Sequence, residues 1–160
     1  MIEILRMLGR IVSRKCAPAV PREHDTGPVS LALLAPRTDR GQLEQAFRDA
    51  GLRVTTMDSW DEAMAALAGE PMPVVLYDAG RADRPWRQAI EELSATATKP
   101  AVVLLSERVD PNLKSETVRS GGYDVLRTPV DGRCASVIVR SGWLFWRNQN
   151  ALRAALASRS

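Results

Sequence analysis

Residues 74–80 read VVLYDAG: four strand-forming residues, a carboxylate at Asp78, and two small residues where a chain can turn. Val74 to Tyr77 leave neither alternating face of a strand polar. That pattern belongs to a strand buried on both sides, as in a parallel sheet with helices over both faces. Asp78 then stands at the carboxyl end of the strand, the end at which such sheets hold ligands near a reversal of strand order. Whether it binds, accepts or caps depends on what the rest of the chain brings beside it.

Outward in both directions the chain repeats one unit, a strand and then a helix. SLALLAP (30–36) is a short apolar run, and RTDRGQLEQAFRDAG (37–51) sets Leu43, Ala46, Phe47 and Ala50 on one helical face before Gly51 stops it. LRVTTMDS (52–59) predicts the next strand. Ser59 and Glu62 form a capping box, in which each satisfies a free backbone donor at a helix start, and that helix ends near GEPMP (69–73). Past Asp78, Pro85 suits a first turn, and Trp86, Ile90 and Leu93 share a face. AVVLLSE (101–107) predicts a fourth strand. Asp110-Pro111 opens a helix that Gly121 and Gly122 close. YDVLRTPV (123–130) predicts a fifth strand, and from Asp131 a long helical pattern runs through Ala135, Ile138, Val139, Trp143, Trp146, Leu152 and Leu156. Five strand–helix units with short connections predict a doubly wound α/β sandwich. The functional crevice then lies at LLAPR, LYDAG, LLSER and LRTPV, the ends of strands one, three, four and five.

The ends differ from this middle. Ile4, Leu5, Leu8, Ile11 and Val12 have helical spacing opposite Arg6, Arg10 and Arg14, and CAPAVPREHDTGP (16–28) is a linker by its prolines and glycine. Three segments follow: a basic helix and linker over 1–28, a domain over 29–146, and a helical extension over 147–160. Residues 1–28 hold five basic and three acidic side chains, 29–130 twelve and fifteen, and 131–160 five arginines against Asp131 alone. An acidic centre between basic ends argues against a dedicated nucleic-acid binder, which carries its basic stripe on the folded face. The N-terminal helix is too short and too poor in aromatics to hold a membrane alone, and no uninterrupted apolar run reaches a membrane-spanning length.

Catalytic chemistry finds few materials. His24, the lone histidine, sits in the linker, so neither a histidine triad nor a zinc site is expected. No nucleophile–base pair can be assembled, and the chain reads as a non-enzyme without metal or cofactor. Cys16 and Cys134 are far apart in sequence and read as free thiols of a reducing, cytoplasmic compartment. Arginine in large excess over lysine suggests a GC-rich bacterial genome.

From about Ser30 to Trp146 the chain resembles the receiver domain of two-component response regulators. The resemblance rests on the amphipathic first helix followed by GLRV, Asp78 closing strand three, Ser106 closing strand four, and GGYDVLRTPVD near strand five. It implies a flavodoxin-like five-stranded parallel sheet of order 2-1-3-4-5, with an added N-terminal helix and an extended C-terminal helix. It also implies a function in signal transduction. Working receivers accept a phosphoryl group from a histidine kinase on the strand-three aspartate, here Asp78. Mg²⁺ neutralises the oxygens as they approach. The acidic pair that holds the metal falls on Leu34 and Ala35, neither of which offers the oxygen ligands a hard cation requires. The phosphoryl-pairing lysine falls on Thr128, the aromatic switch on Val125, and the hydroxyl position on Ser106.

The expectation is therefore a degenerate, stand-alone receiver that signals through protein–protein contact without conventional phosphorylation. Asp78 would cap the following loop or pair with an arginine such as Arg37, Arg81 or Arg127. The alternatives are a working phosphoreceiver in a phosphorelay and a nucleic-acid accessory using its basic termini. A flavin or nucleotide binder is disfavoured, because LAPRTDR (34–40) has no glycine-rich turn. Partners are expected on the last helix, where Val139, Trp143 and Trp146 mark a surface for another protein or for self-association as a dimer.

Overall fold

In the strand Val74–Asp78 every residue but the last is closed to solvent. Val74 and Leu76 enter one core with Leu43, Phe47, Ile138 and Val139, while Val75 and Tyr77 enter another with Met57, Ala63, Ile90 and Leu93. Successive strand residues point to opposite faces, so a run apolar at every position requires a helix layer on each side. The computed structural model describes residues 30–34, 37–69, 71–81 and 84–159, with side chains from residue 40 onward. The basic helix expected within 1–28, with Cys16 and His24, lies outside the described residues.

Strands β1 (Ser30–Leu34), β2 (Arg53–Thr56), β3 (Val74–Asp78), β4 (Ala101–Ser106) and β5 (Asp124–Arg127) are separated by helices. These are α1 (Arg37–Asp49), α2 (Trp60–Gly69), α3 (Trp86–Ser94) and α4 (Pro111–Arg119), and α5 (Gly132–Ala157) follows β5. All strand pairs are parallel and the order is β2-β1-β3-β4-β5. The order reverses between β1 and β3, which opens a crevice at their carboxyl ends. α1 and α5 cover one face; α2, α3 and α4 pack toward the other.

Local chemistry sets the helix boundaries. The Glu62 N–H donates to Ser59 Oγ at 3.1 Å, and the Asp58 N–H to Glu62 Oε2 at 2.8 Å, which satisfies two donors that a helix start leaves open. Asp110 Oδ1 accepts the Leu113 N–H at 2.7 Å ahead of α4. Asp131 Oδ1 accepts the Arg133 and Cys134 N–H groups ahead of α5. Gly51, at φ +78°, ends α1 in the left-handed conformation that side chains resist. Inside the second core the Tyr77 hydroxyl donates to the Arg84 carbonyl at 2.9 Å, so the one polar atom of that ring is paired.

α5 corrects three expectations. Val139 is wholly buried in the first core and cannot be a contact surface of the folded domain. The two neighbouring indoles do not share a site. Trp143 packs beside the first core with the Arg147 guanidinium 4.7 Å from its ring centroid, while the Trp146 N–H donates to the Thr98 carbonyl at 2.8 Å, just before β4. Helical spacing makes them neighbours on α5 but does not say which element each meets. Cys134 is also not a free thiol: it is disulfide-bonded, so it no longer argues for a reducing compartment. Among the described residues no helix is long and apolar enough to cross a membrane.

Beyond Trp146 the helix leaves the domain. Every residue from Arg147 to Ala157 is exposed except the half-buried Arg153. Two truncations on this one helix separate its packed and overhanging parts. Ile138→Ala is expected to cost about 2–5 kcal/mol, and Leu156→Ala less than about 0.5 kcal/mol. Urea unfolding measures both, and equal losses would show that the far end is packed as tightly as the start.

Candidate functional site

Asp78 is the first residue of β3 to reach solvent, because the strand leaves the sheet there. The chain turns at once. The Ala79 N–H donates to the Leu105 carbonyl at 2.9 Å, and the Arg81 N–H to the Asp78 carbonyl at 3.1 Å. Asp78 Oδ1 accepts the Gly80 N–H at 2.7 Å, which makes the carboxylate a cap on its own loop. A Cβ at Gly80 would stand 3.0 Å from that same oxygen, so a larger residue there would require the carboxylate to shift by a few tenths of an ångström. On β4, Ser106 Oγ donates to the Arg108 carbonyl at 2.8 Å and accepts the Arg108 N–H at 3.3 Å, which turns the hydroxyl into its own loop. The Ser106 carbonyl accepts the Thr128 N–H at 3.0 Å and ties the exits of β4 and β5 together.

These exits border an open cleft of about 990 Å³, whose lining includes Asp78, Gly80, Ser106, Arg108, Thr128 and, from α1, Gln42. Three of the residues singled out in the sequence, Asp78, Ser106 and Thr128, thus share one cavity. Leu34 is the last residue of β1, in register with Tyr77 and so one step short of Asp78. Ala35 lies outside the described residues. Val125, at the switch position, is buried in the second core. Among the described residues no three histidine, cysteine, aspartate or glutamate side chains cluster as a metal site would need.

Of the arginines expected near Asp78, Arg127 is exposed on β5, Arg81 is half-buried in the loop after β3, and the side chain of Arg37 is outside the described set. Among the described residues Arg108, two residues past the strand end at Ser106, lines the cleft. It belongs to LLSER (104–108), a segment the strand-end rule places at the crevice, although it was not singled out as a partner for Asp78.

No protein-family model matches the chain, and no curated protein does. Solved structures do. A response regulator from Thermotoga maritima superposes with a TM-score of 0.62 at 19% identity, covering 73% of this chain and 98% of its own. The chemotaxis response regulator CheY4 of Vibrio cholerae gives 0.62 at 18%, covering 73% and 99%. A pilus assembly-related protein of Burkholderia pseudomallei gives 0.61 at 21%, covering 72% and 88%. The chain has the fold of response-regulator receivers, and at these identities the likeness is one of fold.

Two groups at the other end of the sheet, Tyr123 and Asp124, titrate away from their ordinary values. Burial pushes the Asp124 carboxyl up, against the Val125 N–H and the Lys114 ammonium, which pull it down. Burial likewise raises Tyr123, helped by the charge of Asp124 and opposed by a hydrogen bond with Ser141. Because the fold holds the Asp124 proton more tightly than the unfolded chain does, its ionisation destabilises. The penalty begins above the ordinary carboxylate value of about 3.9 and is complete above the raised one. Asp124→Asn keeps an oxygen for the Val125 N–H. It is expected to be more stable than wild type at neutral pH, with the gain vanishing below about pH 4. Denaturant midpoints at neutral and acid pH test this. A variant less stable at neutral pH would mean that Lys114 outweighs burial.

Proposed function

We propose that this chain is a receiver-fold signalling module that acts through protein–protein contact, without Mg²⁺-dependent phosphorylation of Asp78. The observation that carries the reading is the chemical inventory of the cleft. Phosphoryl transfer gathers negative charge on the attacking carboxylate and the transferred group, and it proceeds when cations neutralise that charge. Beside Asp78 and Ser106, the position from which a lysine would reach the phosphoryl oxygens holds Thr128, which offers a hydrogen bond and no charge. At the metal-holding positions stand Leu34 and Ala35, which carry no side-chain oxygen.

Two contacts add support. The hydrogen bond from the Gly80 N–H gives Asp78 a structural role as a loop cap, and Ser106 is engaged with the backbone of Arg108. Arg108 adds a positive charge to the lining and Glu107 a second carboxylate, and among the described residues no group of three histidine, cysteine, aspartate or glutamate side chains forms there. A working phosphoreceiver remains the second reading, because Asp78 and Ser106 border the same cavity.

Acetyl phosphate with Mg²⁺ separates the two. Intact-mass measurement is expected to show no added phosphoryl group, and calorimetric titration no magnesium binding above background. A gain of one phosphoryl group that disappears in Asp78→Asn would overturn the proposal.

A further inference from the structure

On α5, Phe145 at the edge of the domain and Leu152 and Leu156 on the overhang are each about half exposed or more, at 47%, 54% and 60%. Helical geometry lines them up within an arc of about 40°, a narrow seam running out from the domain. The seam is anchored where it begins, since the Phe145 ring lies 5.3 Å from that of Tyr123. Arg153 flanks it, at a position that sets partner choice when two helices pair, and Arg159 follows just past the helix end, one heptad beyond Leu152. Arg147 is already drawn over Trp143. From Gly132 to Ser160 the chain contains five arginines and no acidic residue.

We infer that this seam docks an acidic amphipathic helix of a partner protein. The argument is charge complementarity. A second copy would bring two α5 helices together that carry arginines and no acidic side chain from Gly132 onward, so their like charges would go unopposed. A lipid surface calls for a broad apolar face, whereas Asn148 and Gln149 adjoin this narrow one. A partner helix with leucines at its seam and glutamates at its flanks meets both demands. The inference deepens the reading of the chain as a protein-contact module, and rests on it for its biological sense.

The test uses the full chain and two fluorescent synthetic helices with identical leucine seams, one flanked by glutamate and one by lysine. Anisotropy is expected to show the acidic helix binding at least about tenfold more tightly than the basic one. Leu152→Ala/Leu156→Ala, both at exposed positions, is expected to weaken it by about tenfold or more. Arg153→Glu/Arg159→Glu is expected to invert the preference. Equal affinity for both helices would overturn the inference, as would a preference that ignores the charge reversal. Sedimentation showing a dimer that Leu152→Ala/Leu156→Ala abolishes would assign the seam to a second copy. Binding to phosphatidylglycerol vesicles, lost in the same variant and without discrimination between the helices, would assign it to lipid. Neither variant touches the cleft, so magnesium and acetyl phosphate measurements on the same proteins report separately on the reading that this inference extends.

Discussion

The pairing of β3 with β4 is the constraint on which the rest of the molecule depends. Val74 to Tyr77 and Val102 to Leu105 have no exposure, and their backbones are joined from Val74–Ala101 to Asp78–Leu105. A buried strand must spend its backbone polar groups within the sheet, and its side chains must meet apolar layers on both sides. Polar function can therefore begin only where the strands end. Asp78 and Ser106 are those ends, half-buried after runs that are fully buried. The place of the cleft follows from burial before any chemistry is considered.

What the cleft can do follows from which charges it can balance. A carboxylate near a sheet terminus is readily stabilised by a backbone N–H, and Gly80 supplies one to Asp78 at 2.7 Å. Bringing a phosphoryl dianion against the same carboxylate is a different demand, one that a capping bond does not meet. The contacts that hold the two cores do not involve the polar side chains lining the cleft, so the fold by itself does not fix what the cleft can bind. Position in the fold and competence for the chemistry are thus separate questions.

The same separation explains what was legible in the sequence. Strand and helix boundaries were, because their signals are local: Ser59 with Glu62, Asp110, Asp131 and Gly51 act within a few residues through backbone donors and a left-handed turn. The order of the sheet came from the family resemblance, and the sharing of one cleft by Asp78, Ser106 and Thr128 followed from lying at strand ends. Contacts chosen by tertiary packing were not legible. Helical periodicity puts Trp143 and Trp146 on neighbouring positions, yet one lies on the first core and the other finds a carbonyl at Thr98. Val139, read as surface, is fully buried. Arg108 lay within LLSER at the crevice but was not singled out, because a loop has no period to betray which of its side chains turns inward.

Trp146 marks the point at which α5 changes its role. Up to that residue the helix is held by burial of Ala135, Ile138, Val139 and Gly142, and by the indole's bond to the turn before β4. Past it, about 16 Å of helix continues over Arg147–Ala157 with no further buried residue. A free segment of that length would not hold a helix in water, because nucleation fixes several residues for one hydrogen bond. Here the packed turns supply the nucleus, and each added residue needs only propagation. Ala151, Leu152, Arg153, Ala154, Ala155 and Leu156 are among the strongest helix formers. The overhang is therefore an ordered surface, and whatever binds it meets a helix already formed. That lowers the entropy lost on association, which lets a seam of three apolar side chains serve where a disordered tail of the same composition would not.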